Sequence, residues 1–154
     1  MSGRRRKTLE IKQTLRAMSQ QLALLNHRAG DQLDLRDVDL QCLDLIGRYG
    51  PLSPRALAQR SGLHPATLTG VLDRLEAGRW SARRRDPDDR RGVLLHPLRD
   101  RAAELTRKYL GMNALMDEIC LGFDEAALEA IATFLKRTEE AARRATEQLE
   151  GQGT

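Results

Sequence analysis

The sequence predicts a mainly α-helical protein that carries one small β-hairpin. Hydrophobic residues make up 40% of the 154 residues and aromatic residues only 3%, so Leu, Ile, Val, Ala and Met must build the core. That composition suits packed helices better than a β-sandwich. Apolar residues recur every three or four positions over most of the chain, which is the helical period. This period breaks in one segment near the middle, where short Arg-rich and Val/Leu-rich runs flank a turn.

The first predicted helix is long and ends near Gly30 and Asp31. Its apolar stripe comprises Ile11, Leu15, Met18, Leu22 and Leu25. A second helix is predicted to begin after Leu35 and to stop near residues 49–51, because Gly and Pro interrupt helices there. Both helices are predicted to be amphipathic.

Two helices with clear start signals follow. Ser53 is a good N-cap and Pro54 suits the first helical position, so a short helix is predicted that ends at residues 61–62. A further helix opens at residues 64–65 and runs to about Gly78. Its predicted buried face is Leu68, Val71, Leu72 and Leu75. Its opposite face carries mostly small or hydrogen-bonding residues: Ala66, Thr67, Thr69, Gly70, Asp73 and Arg74.

The rest of the chain is predicted to form the hairpin and two long helices. Residues 83–85 and 92–95 are the predicted strands, joined by a turn at residues 86–89. The helices are predicted over residues 98–121 and 124–149, with Asp124 as N-cap of the second, and residues 151–154 as a loose tail. The last helix carries the apolar stripe Leu128, Ile131, Leu135, Ala142, Ala145 and Leu149.

Charge is unevenly distributed along the chain. The formal net charge is +4 and the isoelectric point is about 9.5. Arginines outnumber acids over residues 79–91, whereas acids predominate over residues 124–150. A basic segment of this kind favours a polyanionic partner such as a nucleic acid.

Three segments together resemble the MarR family of regulators. They are GPLSPRALAQRSGLHPATLT at residues 50–69, LDRLE at residues 72–76 and DPDDRRGV at residues 86–93. The resemblance implies a winged helix-turn-helix with N- and C-terminal dimerisation helices. Residues 1–34 and 98–154 would form the helical dimerisation region, and residues 35–97 the DNA-binding lobe.

The resemblance also implies which residues meet double-stranded DNA. The second helix of the motif would enter the major groove, with Arg74 placed further along it. The N-terminal positions that would face base edges are Pro65, Ala66, Thr67, Thr69 and Gly70. Ser53 and Arg55 would contact phosphates at the start of the preceding helix.

The hairpin would serve as the wing that reaches the adjacent minor groove. By the resemblance, Asp89 would orient the guanidinium of Arg91, which would enter the groove. Arg84, Arg85 and Arg90 would then neutralise phosphates and make binding dependent on salt.

The resemblance implies a homodimer, because the family dimerises through its terminal helices. The interface residues would be Ile11, Leu15, Met18, Leu128, Ile131, Leu135 and Leu149. The expected function is a sequence-specific transcriptional regulator, more specifically a repressor on a near-palindromic operator. A small-molecule effector of unknown identity would bind between the dimer helices and the lobe.

Other classes of function remain as alternatives. The basic face could bind an acidic protein instead of DNA, or Cys42 or Cys120 could sense oxidants. Cys42 falls on an apolar face, which favours a packed thiol. Two cysteines suit a reducing cytoplasm, the expected location. The basic start at residues 4–7 is not followed by an apolar export signal, and no apolar run is long enough for a membrane span.

Catalysis and metal binding are not expected. The three histidines, His27, His64 and His96, lack the spacing of metal ligands. No phosphate loop, nucleophile triad or paired-carboxylate motif is evident, so we expect neither enzymatic activity nor a cofactor.

Overall fold

The computed structural model describes residues 3–151, and its order of elements confirms the predicted fold class. The elements are α1 (Gly3–Asp31), α2 (Asp37–Tyr49), α3 (Pro54–Ser61), α4 (Pro65–Ala77), β1 (Ser81–Arg85), β2 (Val93–Pro97), α5 (Ala102–Leu121) and α6 (Glu125–Gly151). Of the predicted tail, Gly151 is the last residue of α6, and residues 152–154 lie outside the described residues.

Local capping sets the ends of α3 and α4. The Ser53 hydroxyl accepts a hydrogen bond from the Ala56 amide at 3.1 Å, as the N-cap prediction requires. Gly62 ends α3 at φ 69°, a left-handed conformation that glycine adopts without steric cost. The His64 ring caps α4, because its Nδ1 accepts from the Ala66 amide at 3.2 Å.

One hydrophobic core lies under α2, α3, α4 and the hairpin. Its buried members are Leu33, Leu35, Leu40, Cys42, Leu43, Ile46, Leu52, Leu57, Leu68, Val71, Leu72, Leu75, Trp80 and Leu95. The predicted buried face of α4 is confirmed in full. Leu33 and Leu105 also contribute, so the core extends beyond residues 35–97 at both ends.

The hairpin is longer than the sequence predicted. β1 and β2 pair antiparallel from Ser81 opposite Pro97 to Arg85 opposite Val93. Beside β2, Leu52 forms an isolated antiparallel β-bridge with Leu95. The Leu52 amide donates to the Leu95 carbonyl at 3.3 Å, and the Leu95 amide donates to the Leu52 carbonyl at 2.8 Å. This bridge fastens β2 to the segment that precedes α3.

The predicted start of α5 at residue 98 is wrong by four residues. The Leu98 amide donates to the Trp80 carbonyl at 3.0 Å, which prolongs the hairpin contact past β2. Trp80 is buried, and the Arg101 guanidinium stacks over its ring at 3.9 Å. The helix therefore begins only at Ala102. The predicted N-cap of α6 is confirmed, because Asp124 Oδ1 accepts from the Ala127 amide at 2.8 Å.

The chain divides into two compact units, Met1–Tyr109 and Leu110–Thr154. The first unit contains the core described above. Within the described part of the second unit, residues 110–151, no residue is buried. Its large exposed apolar residues are Leu110, Leu115, Met116, Ile119, Leu121, Phe123, Ile131, Phe134, Leu135 and Leu149. Between residues 3 and 151, no helix combines the length and apolar character that crossing a membrane requires.

Candidate nucleic-acid interface

The face of α4 that points away from the core is open to solvent. Pro65, Ala66, Thr67 and Thr69 are exposed, and Gly70 is half-buried. The Thr69 hydroxyl donates to the Pro65 carbonyl at 3.1 Å, which leaves its oxygen free to accept. With side chains this small, another surface can approach the helix backbone closely.

His64 adds a polar group at the start of this face that the sequence analysis did not include. Because Nδ1 accepts from the α4 backbone, the neutral ring carries its proton on Nε2. The residue is exposed, so this N–H is available to an external acceptor. Its role as a cap could have been suspected from the His-Pro pair, since a residue before Pro at the first helical position is an N-cap.

Ser53 and Arg55 lie at the N-terminus of α3, where the sequence analysis placed them. The Ser53 hydroxyl is half-buried and keeps its proton for donation, since it accepts from Ala56. Arg55 is exposed. The first turn of a helix carries unpaired amides and partial positive charge, which suits an anionic group.

Arg74, further along α4, forms an ion pair with a carboxylate of α2. Its Nη2 lies 2.6 Å from Asp39 Oδ1, and its Nε is within hydrogen-bond distance of both carboxylate oxygens. Asp39 is buried and also accepts from the Arg36 amide at 3.2 Å. The hydrogen bonds that the guanidinium donates to Asp39 raise the pKa of Arg74. The guanidinium therefore ties α4 to α2, a contact that was not predicted from the sequence.

Arg83 on β1 reaches back to α4. Its Nη2 lies 2.6 Å from Asp73 Oδ1, and its Nη1 lies 2.6 Å from Glu76 Oε2. The Arg83 amide also donates to Glu76 Oε1 at 3.1 Å. The hydrogen bonds from the Arg83 backbone and side chain lower the pKa of Glu76. This contact between wing and helix was not predicted from the sequence.

The tip of the wing is held by its own aspartates. Asp86 Oδ1 accepts from the Asp88 amide at 2.9 Å, and Asp89 Oδ1 accepts from the Arg91 amide at 3.0 Å. Asp89 was expected to orient the Arg91 guanidinium, but it bonds the Arg91 backbone instead. The short side chain of Asp favours hydrogen bonds to nearby backbone amides over contacts with more distant side chains.

The remaining arginines of the wing point into solvent. Arg84, Arg85, Arg90 and Arg91 are exposed, and within residues 3–151 their guanidinium groups have no hydrogen bond or ion pair. Their charge is therefore available to an external anion. Arg79, which precedes the wing, is paired with Asp100 at 2.8 Å.

The two cysteines lie in different environments. Cys42 is fully buried, and burial, assisted by the charge of Asp39, raises its pKa to about 11. Little thiolate forms at neutral pH under those conditions, which disfavours Cys42 as an oxidant sensor. Cys120 is a half-buried free thiol on α5.

A cavity of about 570 Å³ opens within the first unit, between α1, α2 and the start of α5. Its lining residues are Ala23, Asn26, Asp37, Leu40, Gln41, Asp44, Arg48, Leu105 and Tyr109. The Tyr109 hydroxyl donates to Asn26 Oδ1 at 2.9 Å across its edge. Its volume is in the range of small-molecule sites.

Comparison with known proteins agrees with this architecture. The MarR family model matches residues 35–93. The HTH-type transcriptional regulator YcgE of Bacillus subtilis (strain 168) is 27% identical over 89% of both chains. Transcriptional regulator Tm0710 from Thermotoga maritima shares the fold at 22% identity, covering 90% of this chain and 98% of its own, with a TM-score of 0.63.

A second solved structure with the same fold contains DNA. Streptococcus pneumoniae FabT, crystallised in complex with DNA, is 19% identical and covers 89% of this chain and 98% of its own, with a TM-score of 0.68. Family model, relative and shared fold agree with the motif at residues 50–93. Over residues 35–93 the chain is thus similar to the MarR family, and its fold is that of these solved regulators.

Proposed function

We propose that this protein is a homodimeric repressor that binds a near-palindromic operator in double-stranded DNA. The observation that carries the proposal is the pairing of two features in one lobe. An exposed α4 face of small and hydroxyl side chains stands beside a wing whose four outer arginines have no partner within residues 3–151. FabT, which shares the fold, was crystallised with DNA.

α4 is the element that would enter the major groove. A groove about 12 Å wide admits a helix, and small residues at its N-terminus allow close approach to base edges. Thr67 and Thr69 would contact bases, and Pro65, Ala66 and Gly70 would permit the approach. The Nε2–H of His64 would add a donor toward a phosphate or base acceptor. Ser53 and Arg55 would contact phosphates from the N-terminus of α3.

The wing would supply the minor-groove contact and much of the electrostatic attraction. Arg91 would enter the groove from a tip whose backbone Asp89 holds in place. Arg84, Arg85 and Arg90 would lie against phosphates. Each neutralised phosphate releases condensed counterions, so operator affinity should fall steeply with salt.

Dimerisation would use residues 1–34 and 98–154, while residues 35–97 would form the DNA-binding lobe. Ile11 and Met18 on α1, and Ile131, Leu135 and Leu149 on α6, are exposed in the single chain. A second copy would cover them, together with Leu15 and Leu128. Two recognition helices one DNA turn apart would then read the two halves of an inverted repeat.

An effector would bind in the cavity between α1, α2 and α5. The cavity joins α1 and α5, the proposed dimer helices, to α2 of the lobe. A ligand there would release DNA if it favoured a dimer whose two α4 helices no longer match the operator spacing. Such a shift requires different affinities for the two conformations.

The experiment that tests the proposal is a binding selection from random duplex DNA near physiological salt, with the oligomeric state measured in parallel. A dimer should enrich an inverted repeat. If no sequence is enriched and binding fades with modest salt, the basic face binds polyanions without reading sequence. A protein-interaction module then becomes the better description.

Thr69→Ala gives the selection a residue-level control. It should change base preference at one position in each half-site, with a cost of about 1–3 kcal/mol on the preferred sequence. Thr106→Ala on α5 is the matched variant, since the Thr106 hydroxyl also bonds back along its helix, to the Ala102 carbonyl at 2.9 Å. It should leave the enriched sequence unchanged. Equal effects of the two variants would contradict base reading by α4.

A further inference from the structure

Within residues 3–151, Arg83 is the one hairpin residue that makes side-chain hydrogen bonds to α4. One guanidinium nitrogen lies 2.6 Å from Asp73 Oδ1 and another 2.6 Å from Glu76 Oε2. Asp73 and Glu76 are one helical turn apart on α4, so the planar fork of arginine bridges both carboxylates. The Arg83 amide adds a third bond to Glu76 at 3.1 Å.

In the part of the chain that the structure describes, polar contacts fasten the hairpin at its base and at Arg83, but not at its tip. Toward the base, the hairpin is fastened by the Leu52–Leu95 bridge and by the Leu98–Trp80 hydrogen bond. Toward the tip, within the described residues, no side chain from Arg84 to Gly92 makes a hydrogen bond or ion pair with α4. The Arg83 contacts are thus the polar contacts to α4 that lie nearest the wing tip within residues 3–151.

We infer that Arg83 is a positioning residue that fixes the wing against α4, so that the wing tip and the recognition helix meet their two grooves together. This inference rests on the proposed function, because it assigns Arg83 a part in DNA binding without a contact to DNA. The guanidinium faces two protein carboxylates, and its side chain is only 29% exposed.

The same contact removes an electrostatic obstacle to DNA binding. The side chains of Asp73 and Glu76 are 63% and 43% exposed, on the helix proposed to enter the groove. Two free carboxylates there would repel phosphates. Arg83 pairs with both, and Lys could not do the same, because its single ammonium lacks the fork.

A double-mutant cycle on the full-length protein separates positioning from a direct phosphate contact. The probe is the duplex recovered by the binding selection. Arg91→Ala alone should weaken binding about tenfold, which corresponds to about 1.4 kcal/mol. In the Arg83→Gln background the same change should cost about twofold or less, because a wing that is no longer held in place has already lost the minor-groove contact.

Arg85→Gln is the matched control on the same strand. It removes one positive charge from an exposed arginine without a partner inside residues 3–151, so its effect and that of Arg91→Ala should multiply. Arg83→Lys should behave like Arg83→Gln in the cycle although it keeps the charge. If Arg83→Gln and Arg91→Ala also multiply, Arg83 acts as an independent charge and the inference is overturned.

Amide hydrogen exchange in the free protein tests the positioning without DNA. Arg83→Gln should speed exchange at residues 83–92 several-fold and leave the core of the lobe unchanged. Glu76→Ala should likewise speed exchange at the Arg83 amide, because it removes the acceptor of that amide. Unchanged wing exchange would overturn the inference. If instead Arg91→Ala alone has no effect on binding, the proposed minor-groove contact fails, and the exchange experiment alone decides the positioning role.

Discussion

The lobe (residues 35–97) and the second unit (residues 110–151) both carry regular apolar stripes, but only the lobe buries them. On α4, Leu68, Val71, Leu72 and Leu75 are all buried. On α6, Ile131 is 39% exposed and Leu149 is 72% exposed. Periodicity therefore predicts where an apolar face lies on a helix, but it does not predict what covers that face. The lobe covers its own stripes, whereas the apolar residues of the second unit are exposed in the single chain.

α1 combines both situations along one helix. Its C-terminal end lies close to the core of the lobe. Ala29 and Gly30 are buried there, and Leu33, just after the helix, belongs to the core. Ile11, Met18 and Leu22 nearer its start remain exposed. An exposed apolar stripe of this length is unusual on a monomer and favours an interface.

The largest expected effect is the loss of a core side chain from the lobe. Leu75→Ala should lower the free energy of unfolding by roughly 2–5 kcal/mol, because it removes a fully buried side chain and leaves a cavity. Leu149→Ala makes the same chemical change at a residue 72% exposed and should cost less than about 1 kcal/mol at fixed protein concentration. Denaturant titration of both variants measures the contrast, and similar losses would show that α6 is covered as fully as α4.

The next effect concerns the ion pair that joins α2 to α4. Asp39→Ala should destabilise the protein by about 2 kcal/mol, since it removes a buried carboxylate that holds Arg74 and the α2 N-terminus. Arg74 remains partly exposed, which keeps the cost below that of a fully buried charge. Asp44→Ala is the control, because its pair with Arg48 is exposed at 3.3 Å and should contribute less than about 1 kcal/mol. A cost for Asp39→Ala no larger than for Asp44→Ala would contradict this.

The sequence predicted features set by neighbouring residues and missed those set by distant ones. The caps at Ser53 and Asp124 and the buried face of α4 depend on residues a few positions apart. The Arg74–Asp39 pair joins residues 35 positions apart, and no local pattern separates it from an exposed pair. The start of α5 was misplaced for the same reason, because Leu98 bonds Trp80 across the end of the hairpin.

In the wing, a local contact was missed together with a more distant one. The resemblance identified the hairpin as a wing with a charged tip at residues 86–91. It did not reveal that Asp89 holds the Arg91 backbone or that Arg83 reaches Asp73. Both depend on side-chain orientations, which residue order alone leaves open.

A third prediction addresses the exposed face of α6. Leu135→Glu should raise the dimer dissociation constant at least about tenfold, because it places a charge within an apolar interface. Lys136→Gln lowers the local charge by the same amount at the neighbouring position and should change dimerisation much less. Sedimentation equilibrium of both variants measures the difference. An unchanged constant for Leu135→Glu would show that this part of α6 faces solvent in the dimer.

The smallest expected effect is a dependence on pH at the junction of α1 and α2. The His27 ring lies 2.9 Å from Asp37 through Nδ1 and 3.6 Å from Asp31 through Nε2. The hydrogen bond to Asp37 and the charges of both carboxylates raise the pKa of His27 above its ordinary value of 6.5, against the opposing charge of Arg28. The protonated ring therefore stabilises the folded state.

This stabilisation should be complete below the unfolded pKa of 6.5 and should be lost as the pH rises through the higher folded pKa. Melting temperatures of the wild type and His27→Gln should thus differ most in mildly acidic buffer and converge as the pH rises. Asp37→Asn should abolish most of the same dependence, because it removes the main partner of the ring. A difference that stays constant or grows with pH would mean that His27 does not bind its proton more tightly in the folded state. The junction would then be held by the buried Leu33 and Leu35 side chains and their amide hydrogen bonds to the Gly30 carbonyl.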